Sequence, residues 1–148
     1  MAFRLASLAG ASRTTVTRHA SALGRWEMAV APSAPELRPY VRAYVGWFEQ
    51  MAAPLVRREL PTEEAPLIFN LGAPIRLFDL RDPRRHRDVG SFITGAYDTV
   101  QLVGSDGPSG GVQVNLSLLG IRRLVGRPLA DMKNHALSLE DVFGRDAR

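Results

Sequence analysis

Apolar and polar residues alternate from Val112 to Leu118. A period of two residues is typical of a strand that has one buried face and one polar face. Shorter apolar runs, separated by turn residues or charged segments, predict further strands. These runs cover residues 41–49, 55–60, 66–72, 75–78, 91–95 and 99–103. The turn residues between neighbouring runs predict one hairpin between 66–72 and 75–78 and a second between 91–95 and 99–103, with a charged loop at 79–89 between the two hairpins.

The spacing of the apolar residues changes after Leu118. Leu119, Ile121 and Leu124 recur at helical spacing, and Gly126 is a typical residue at which a helix ends. Residues 129–133 and 138–144 have the composition of two further short helical segments. The C-terminal part of the chain is therefore predicted to be helical.

A helical turn is also predicted before the first apolar run. Ser33 and Glu36 have the spacing of a capping box, followed by a short segment at 35–39 that leads into the strand at 41–49. Short strands followed by short helices predict an α+β fold led by an antiparallel sheet. We expect a β-rich, cupin-like or jelly-roll barrel followed by short C-terminal helices.

Composition limits the class of protein. The chain has 148 residues, 45% of them hydrophobic and 23% charged, and no cysteine. This length matches one domain, and the missing cysteines exclude disulfides, thiol catalysis and Cys-ligated metals. No apolar run reaches the roughly 20 residues of a membrane-spanning helix, so we expect no membrane association and a cytoplasmic location.

The N-terminal segment differs from the rest of the chain. Residues 1–27 contain four arginines and one glutamate, which accounts for most of the net charge of +4. We interpret residues 1–32 as a basic Ala/Ser/Arg-rich tail, either disordered or upstream of a true start at Met28, and residues 33–148 as the folded domain. A targeting peptide is another interpretation of this segment.

A sharper alternative for the same segment is DNA binding. Residues 5–18 resemble the helix-turn-helix of LacI-type repressors, with Gly10 at the turn and Ser12 as the cap of the recognition helix. The chain would then be an autonomous DNA-binding repressor. The residues facing the major groove would be Arg13, Thr14, Thr15 and Arg18.

Catalytic chemistry has little support in the sequence. The three histidines, His19, His86 and His135, are far apart and lack metal-ligand spacing. There is no nucleophile elbow and no phosphate-binding glycine loop. We therefore predict no catalytic residue, no metal site and no cofactor. A cupin-type enzyme is kept as a further alternative, and it would need a cluster of metal ligands.

Three amide side chains are candidates for binding a small molecule. Asn70 lies within an apolar run, and Gln113 and Asn115 lie on the polar face of the alternating strand. If that face points into a barrel, these amides are the polar groups of a ligand site. In the opposing interpretation this face meets solvent and Asn70 caps a turn, because alternation alone does not say which face is inside.

An ordered set of segments resembles the N-terminal domain of bacterial AraC-type transcriptional regulators. The resemblance extends over about residues 33–146. The segments that carry it are 35–41 (PELRPYV), 58–61 (RELP), 67–72 (LIFNLG), 111–116 (GVQVNL), 119–126 (LGIRRLVG) and 128–129 (PL).

The resemblance implies a regulatory domain without catalytic activity. In this family the domain senses a signal or mediates self-association, and a C-terminal domain with two helix-turn-helix units binds DNA. We therefore expect a small-molecule effector and a homodimer, or a heterodimer with full-length regulators. Because no segment here matches the DNA-binding half, we expect a product truncated before it, which contacts DNA only through that missing domain or the alternative N-terminal motif.

Overall fold

The computed structural model describes residues 13–144. Most of this part of the chain forms strands, and the helices are short. The strands are β1 (Thr15–Ser21), β2 (Gly24–Pro32), β3 (Val41–Met51), β4 (Leu55–Glu59), β5 (Ala65–Asn70), β6 (Ile75–Phe78), β7 (His86–Val89), β8 (Phe92–Thr94), β9 (Gln101–Ser105), β10 (Ser109–Leu116) and β11 (Ala136–Ser138). The α-helices are α1 (Leu118–Val125) and α2 (Leu139–Phe143), and 3-10 turns lie at Pro35–Leu37 and Leu129–Met132.

The strands form two antiparallel sheets. The larger sheet has seven strands in the order β1-β2-β3-β10-β5-β8-β11, and the smaller has four in the order β4-β9-β6-β7. Every strand pair in both sheets is antiparallel. The prediction of an α+β fold led by antiparallel sheet is therefore confirmed. No helix in residues 13–144 has the length and apolar character needed to cross a membrane.

Apolar packing occupies both faces of the seven-stranded sheet. On one face, Leu67 and Leu116 pack against Ile121 of α1 and Met132 of the second 3-10 turn. On the other face, Ile68 packs with residues such as Ile75 of the smaller sheet. Adjacent residues in a strand point to opposite faces, so Leu67 and Ile68 serve different cores. The first face is covered by the helices and the second faces the four-stranded sheet.

Helix α1 ends where the sequence predicts, and it begins at Leu118, the last residue of the predicted strand. The Ser117 side chain accepts a hydrogen bond from the backbone N–H of Gly120 at 3.0 Å, which satisfies an otherwise unpaired donor of the first turn. At the other end Gly126 has φ of 67°, a left-handed conformation that glycine adopts without strain. The predicted helical segments at 35–39, 129–133 and 138–144 are also present, each shorter than the sequence pattern.

The predicted boundary between a tail and a folded domain is wrong for the described part of the tail. Residues 15–32 form the hairpin β1–β2, and β2 pairs with β3 along its whole length from Gly24 to Pro32. The segment therefore extends the seven-stranded sheet. Its β-branched residues Thr15, Val16 and Thr17 favour a strand. Residues 1–12 of the predicted tail lie outside the described part.

The two predicted hairpins are wrong in their pairing. β5 lies in the larger sheet and β6 in the smaller, and β8 and β9 are divided in the same way. The turns after Asn70 and Thr94 carry the chain from one sheet to the other. Local turn chemistry stops a strand but does not specify the partner of the next one. Residues 86–89 of the predicted charged loop form β7, which pairs with β6.

The capping box predicted at Ser33 is also not formed. The first 3-10 turn follows Ala34 and has no side-chain cap. The Ser33 hydroxyl instead donates a 2.6 Å hydrogen bond to the Val41 carbonyl, and Ser33 is buried. Its side chain thus fixes the entry into β3.

Candidate functional site

A cavity of about 770 Å³ lies between the two sheets. Its wall is mostly apolar, with large side chains contributed by both sheets. They include Trp47, Ile68, Phe92, Leu77 and Val103. This volume and the apolar lining are typical of sites that enclose small organic molecules.

The polar face of β10 is the face that lines this cavity. Ser109, Gln113 and Asn115 are in the cavity wall, whereas Val114 and Leu116 belong to the helix-side core. The period-two pattern therefore has the orientation required for a ligand site, and the solvent-facing interpretation does not apply to these amides. Gln113 Nε2 donates a 2.7 Å hydrogen bond to Asn115 Oδ1. This bond holds the two amides side by side on the cavity wall.

Asn70, the third amide predicted, stabilises a turn and does not line the cavity. Its Nδ2 donates to the Ala73 carbonyl at 3.0 Å, and its Oδ1 accepts from the Gly72 N–H at 3.3 Å. Both bonds lie within the connection from β5 to β6. The turn-capping interpretation of Asn70 is therefore the one that the structure shows.

An ion pair spans the cavity from one sheet to the other. The Arg57 guanidinium on β4 donates two hydrogen bonds to the Glu49 carboxylate on β3, with N–O distances of 2.7 and 2.9 Å. Glu49 is buried, at 7% exposure. Burial lowers the pKa of Arg57. The hydrogen bonds and charge of Glu49 and the charge of Glu59 raise it by more, so the net shift of the Arg57 pKa is upward. Arg57 is therefore a fixed cation held between two carboxylates.

Chain connectivity gathers the remaining polar groups at one end of the cavity. Residues 60–64 join Glu59 to β5, and residues 95–100 join Thr94 to Gln101. Gln101 lies opposite Glu59 in the register of β4 and β9. Glu64 lies just before β5. The polar residues of this end, called here the acidic end, are Glu59, Thr62, Glu64, Thr94, Tyr97, Gln101 and Asn115, all of them in the cavity wall.

One hydroxyl of the acidic end is buried, and a phenol nearby is half-buried. Thr94 is 4% exposed, and its Oγ1 has no hydrogen-bond partner among residues 13–144. Burial raises the pKa of the Tyr97 phenol, an effect opposed by the positive charge of Arg87. The phenol is therefore neutral at physiological pH and can donate a hydrogen bond. A buried hydroxyl without a partner is uncommon in folded proteins and indicates a group that a ligand or a water can satisfy.

At the opposite end of the cavity a tryptophan is fixed in position. Trp47 Nε1 donates a 3.2 Å hydrogen bond to Ser109 Oγ, and Ser109 is buried. Because the indole N–H is satisfied by the protein, the ring offers a ligand mainly its apolar faces and edges. Trp26 and Met28 from β2 extend this wall.

The described residues of the DNA-binding alternative do not form a recognition helix. Thr15 and Arg18 belong to strand β1, and Arg13 and Thr14 precede it without regular secondary structure. Arg18 is also engaged by Glu27 of the neighbouring strand, which neutralises its charge. The predicted recognition helix is thus contradicted over residues 13–18, since two adjacent β-branched threonines and Val16 favour strand pairing over a helix. Residues 5–12 of the motif lie outside the described part.

Within residues 13–144 no group of three or more His, Asp or Glu side chains is arranged to hold a metal ion.

Sequence reasoning missed Glu49, Arg57, Glu64 and Thr94. A signal existed for the first of them. Glu49 lies on the same face of β3 as Val45 and Trp47. An acidic residue on the apolar face of a predicted strand indicates that a cation lies nearby.

Comparison with known proteins gives no relative for this chain. No protein-family model matches it, no curated protein matches it, and no solved structure matches it. The functional conclusion must therefore come from the cavity itself.

Proposed function

We propose that this chain is the regulatory domain of a cytoplasmic AraC-like transcriptional regulator and that it senses a small molecule in the cavity between its sheets. The fold proposed is cupin-like. The single observation that carries the proposal is the 770 Å³ cavity with apolar walls and a few convergent polar side chains. Two facing antiparallel sheets followed by short helices also support it.

Strand β8 offers a route from the cavity to the C-terminal helices. Phe92 and Thr94 face the cavity, while Ile93 between them packs in the helix-side core. β8 pairs with β11, and Ser138 at the end of β11 caps α2. A ligand that displaces Phe92 or Thr94 therefore shifts the strand that carries α2. In this proposal the movement biases a DNA-binding domain supplied by the same regulator or by a partner.

Self-association is the second part of the proposed regulatory role. β1 is the outermost strand of the seven-stranded sheet, and all seven of its residues are exposed. An edge strand presents unpaired backbone N–H and C=O groups that can pair with a second copy or with a full-length regulator. Val16, 45% exposed on this strand, is an apolar residue available to such a contact.

Analytical ultracentrifugation tests the self-association. A dimer that uses β1 should dissociate in Val16→Lys and persist in Val56→Lys, a matched change at an exposed valine of β4 in the other sheet. A monomer at all concentrations, or a dimer unaffected by Val16→Lys, would remove β1 from the proposal.

The sensing role is tested with N-phenyl-1-naphthylamine, a neutral apolar fluorescent probe. We expect its fluorescence to rise on binding and its affinity to fall at least about tenfold in Val103→Phe, which places a larger side chain in the cavity. The matched control is Leu102→Phe, whose side chain lies on the opposite face of β9. Absence of probe binding, or equal loss in both variants, would contradict a ligand cavity.

A further inference from the structure

The charged side chains of the cavity wall have an excess of negative charge. The charged residues that line it are Glu27, Glu49, Arg57, Glu59 and Glu64. Glu27 is neutralised by Arg18, and Glu49 by Arg57. Glu59 has only a 3.5 Å contact with Arg57 Nε, and Arg57 is already engaged twice by Glu49. The cavity is thus acidic in a protein whose net charge is +4.

Glu64 is the carboxylate most available to a ligand. Its backbone is fixed by Thr62, whose hydroxyl donates to the Glu64 carbonyl at 2.9 Å and accepts from the Glu64 N–H at 3.3 Å. The residue is half-buried, and its carboxylate has no ion pair or side-chain hydrogen bond with the rest of residues 13–144. Withdrawing a carboxylate from water without a partner is unfavourable, and a bound cation would offset that cost.

Thr94 independently indicates a ligand at the same end. Thr94 belongs to the cavity wall, and its buried hydroxyl has no hydrogen-bond partner in the part of the chain that the structure describes. Asn115 lies close to Glu64 along the sheet. It is opposite Pro66 in the register of β5 and β10, and Pro66 is two residues from Glu64. The register of β5 and β8 places Thr94 beside the same stretch of β5. Glu64, Asn115 and Thr94 therefore lie around the same stretch of β5 at one end of the cavity.

The rest of the cavity suits the apolar body of such a ligand. Phe92, Ile68 and Leu77 form the middle of the wall, and the indole of Trp47 lies beyond them. Aromatic faces also attract cations, so a charged group can move toward Trp47 without repulsion. Arg57 is the one cation that residues 13–144 contribute to the wall, and it is held by Glu49 and Glu59.

We propose that the cavity binds an organic cation: an apolar or aromatic molecule with one positive charge, which lies between Glu64, Thr94 and Asn115 at the acidic end. This inference rests on the proposed sensing function and adds the chemical class of the ligand. A neutral molecule of the same shape would leave Glu64 desolvated without compensation, and an anion would be repelled by it.

The test uses two ions of the same shape and opposite charge, tetraphenylphosphonium and tetraphenylborate. Their affinities for the full chain are measured by isothermal titration calorimetry, with N-phenyl-1-naphthylamine as the neutral reference probe. We expect the cation to bind at least about tenfold more tightly than the anion, a difference of about 1.4 kcal/mol. The positive net charge of the protein acts in the opposite direction, so this preference would have to come from the cavity.

Glu64→Gln should lower the affinity for tetraphenylphosphonium about five- to tenfold while changing the affinity for the neutral probe less than about twofold. The matched control is Glu63→Gln, which removes the adjacent exposed carboxylate outside the cavity wall. The control should leave both affinities unchanged, and unaltered binding of the neutral probe shows that each variant is folded.

The outcomes separate the two proposals. Binding of the neutral probe with equal affinity for both ions, or with preference for the anion, would overturn the organic-cation ligand and leave the sensing function standing. A cation preference that is lost equally in Glu63→Gln would also overturn it, because surface charge would then be the cause. Failure of all three probes to bind would overturn the sensing function and the ligand class together.

Discussion

Arg57 and Glu49 are joined by two hydrogen bonds of 2.7 and 2.9 Å, and this pair connects the four-stranded sheet to the seven-stranded sheet across the cavity. Glu49→Gln should lower the free energy of unfolding by about 1–2 kcal/mol, because it leaves Arg57 with a weaker acceptor. The value is modest because the Arg57 side chain is 43% exposed and water compensates in part.

Glu59→Gln is the control for this change. Its carboxylate lies 3.5 Å from Arg57 Nε and is 57% exposed, so its loss should cost less than about 0.5 kcal/mol. Urea denaturation followed by tryptophan fluorescence gives both values. Equal destabilisation by the two substitutions would show that the Arg57–Glu49 geometry contributes nothing specific.

Thr94→Val should leave the ligand-free protein as stable as before, or up to about 1 kcal/mol more stable. The Thr94 hydroxyl is buried without a partner among the described residues, so its replacement by a methyl group of similar size removes an unsatisfied polar atom. Thermal unfolding of the two proteins measures the difference. Thr62→Val is a contrasting variant, because the Thr62 hydroxyl makes two hydrogen bonds to Glu64, and it should lose about 0.5–1 kcal/mol. A clear loss of stability in Thr94→Val would show that the hydroxyl is satisfied, for instance by bound water.

Gly120→Ala should destabilise the protein by about 1–3 kcal/mol, although alanine is the better helix former by about 1 kcal/mol. A Cβ at Gly120 would lie 2.2 Å from the Tyr40 carbonyl oxygen, which is main-chain and cannot rotate away. Arg123→Ala, at an exposed position of the same helix, should change stability by less than about 0.5 kcal/mol. Chemical denaturation of both variants checks this, and a stabilised Gly120→Ala would mean that α1 is not packed against Tyr40.

The contact between Asp98 and Lys133 should make stability depend on pH in acid. The hydrogen bond from Lys133 and a second from Asn134 lower the pKa of Asp98 below its ordinary value of 3.8. A lowered folded-state pKa means that the stabilisation is present above about pH 3.8 and is lost as the pH falls through the lower pKa of the folded protein. The stability difference between the wild type and Asp98→Asn should therefore disappear in this acidic range. A difference that is constant from pH 2 to pH 7 would refute this assignment.

Local pattern was sufficient for many individual elements and insufficient for their partners. β6 at 75–78 and α1 up to Gly126 follow directly from apolar spacing and turn residues. β1 was missed because all its residues are exposed, so no buried face left an alternating apolar pattern in the sequence. Between β3 and β10 the chain changes sheet at six of the seven connections, and the sequence pattern carries no mark of which sheet a strand joins.

In the candidate site, too, local features were predictable and contacts between distant residues were not. Gln113 and Asn115 were predicted because both lie on one polar face of one strand, a local property. The pairing of Glu49 with Arg57 could not be predicted in this way, because it depends on β3 and β4 lying in opposite sheets. Glu64 and Thr94 come together only through two connections that end at the same side of the cavity.

The larger hydrophobic cluster lies outside the space between the sheets, under α1, α2 and the second 3-10 turn. Substitutions in the cavity wall therefore act on residues that this cluster does not need. Ile68, Ile75 and Phe92 in the cavity wall belong to a second, smaller cluster, so the positions free to vary are the wall residues outside both clusters, such as Glu64 and Asn115. A point mutation there can change ligand preference while both clusters are retained. Selection on ligand recognition at these positions can therefore proceed separately from selection on the stability of the fold.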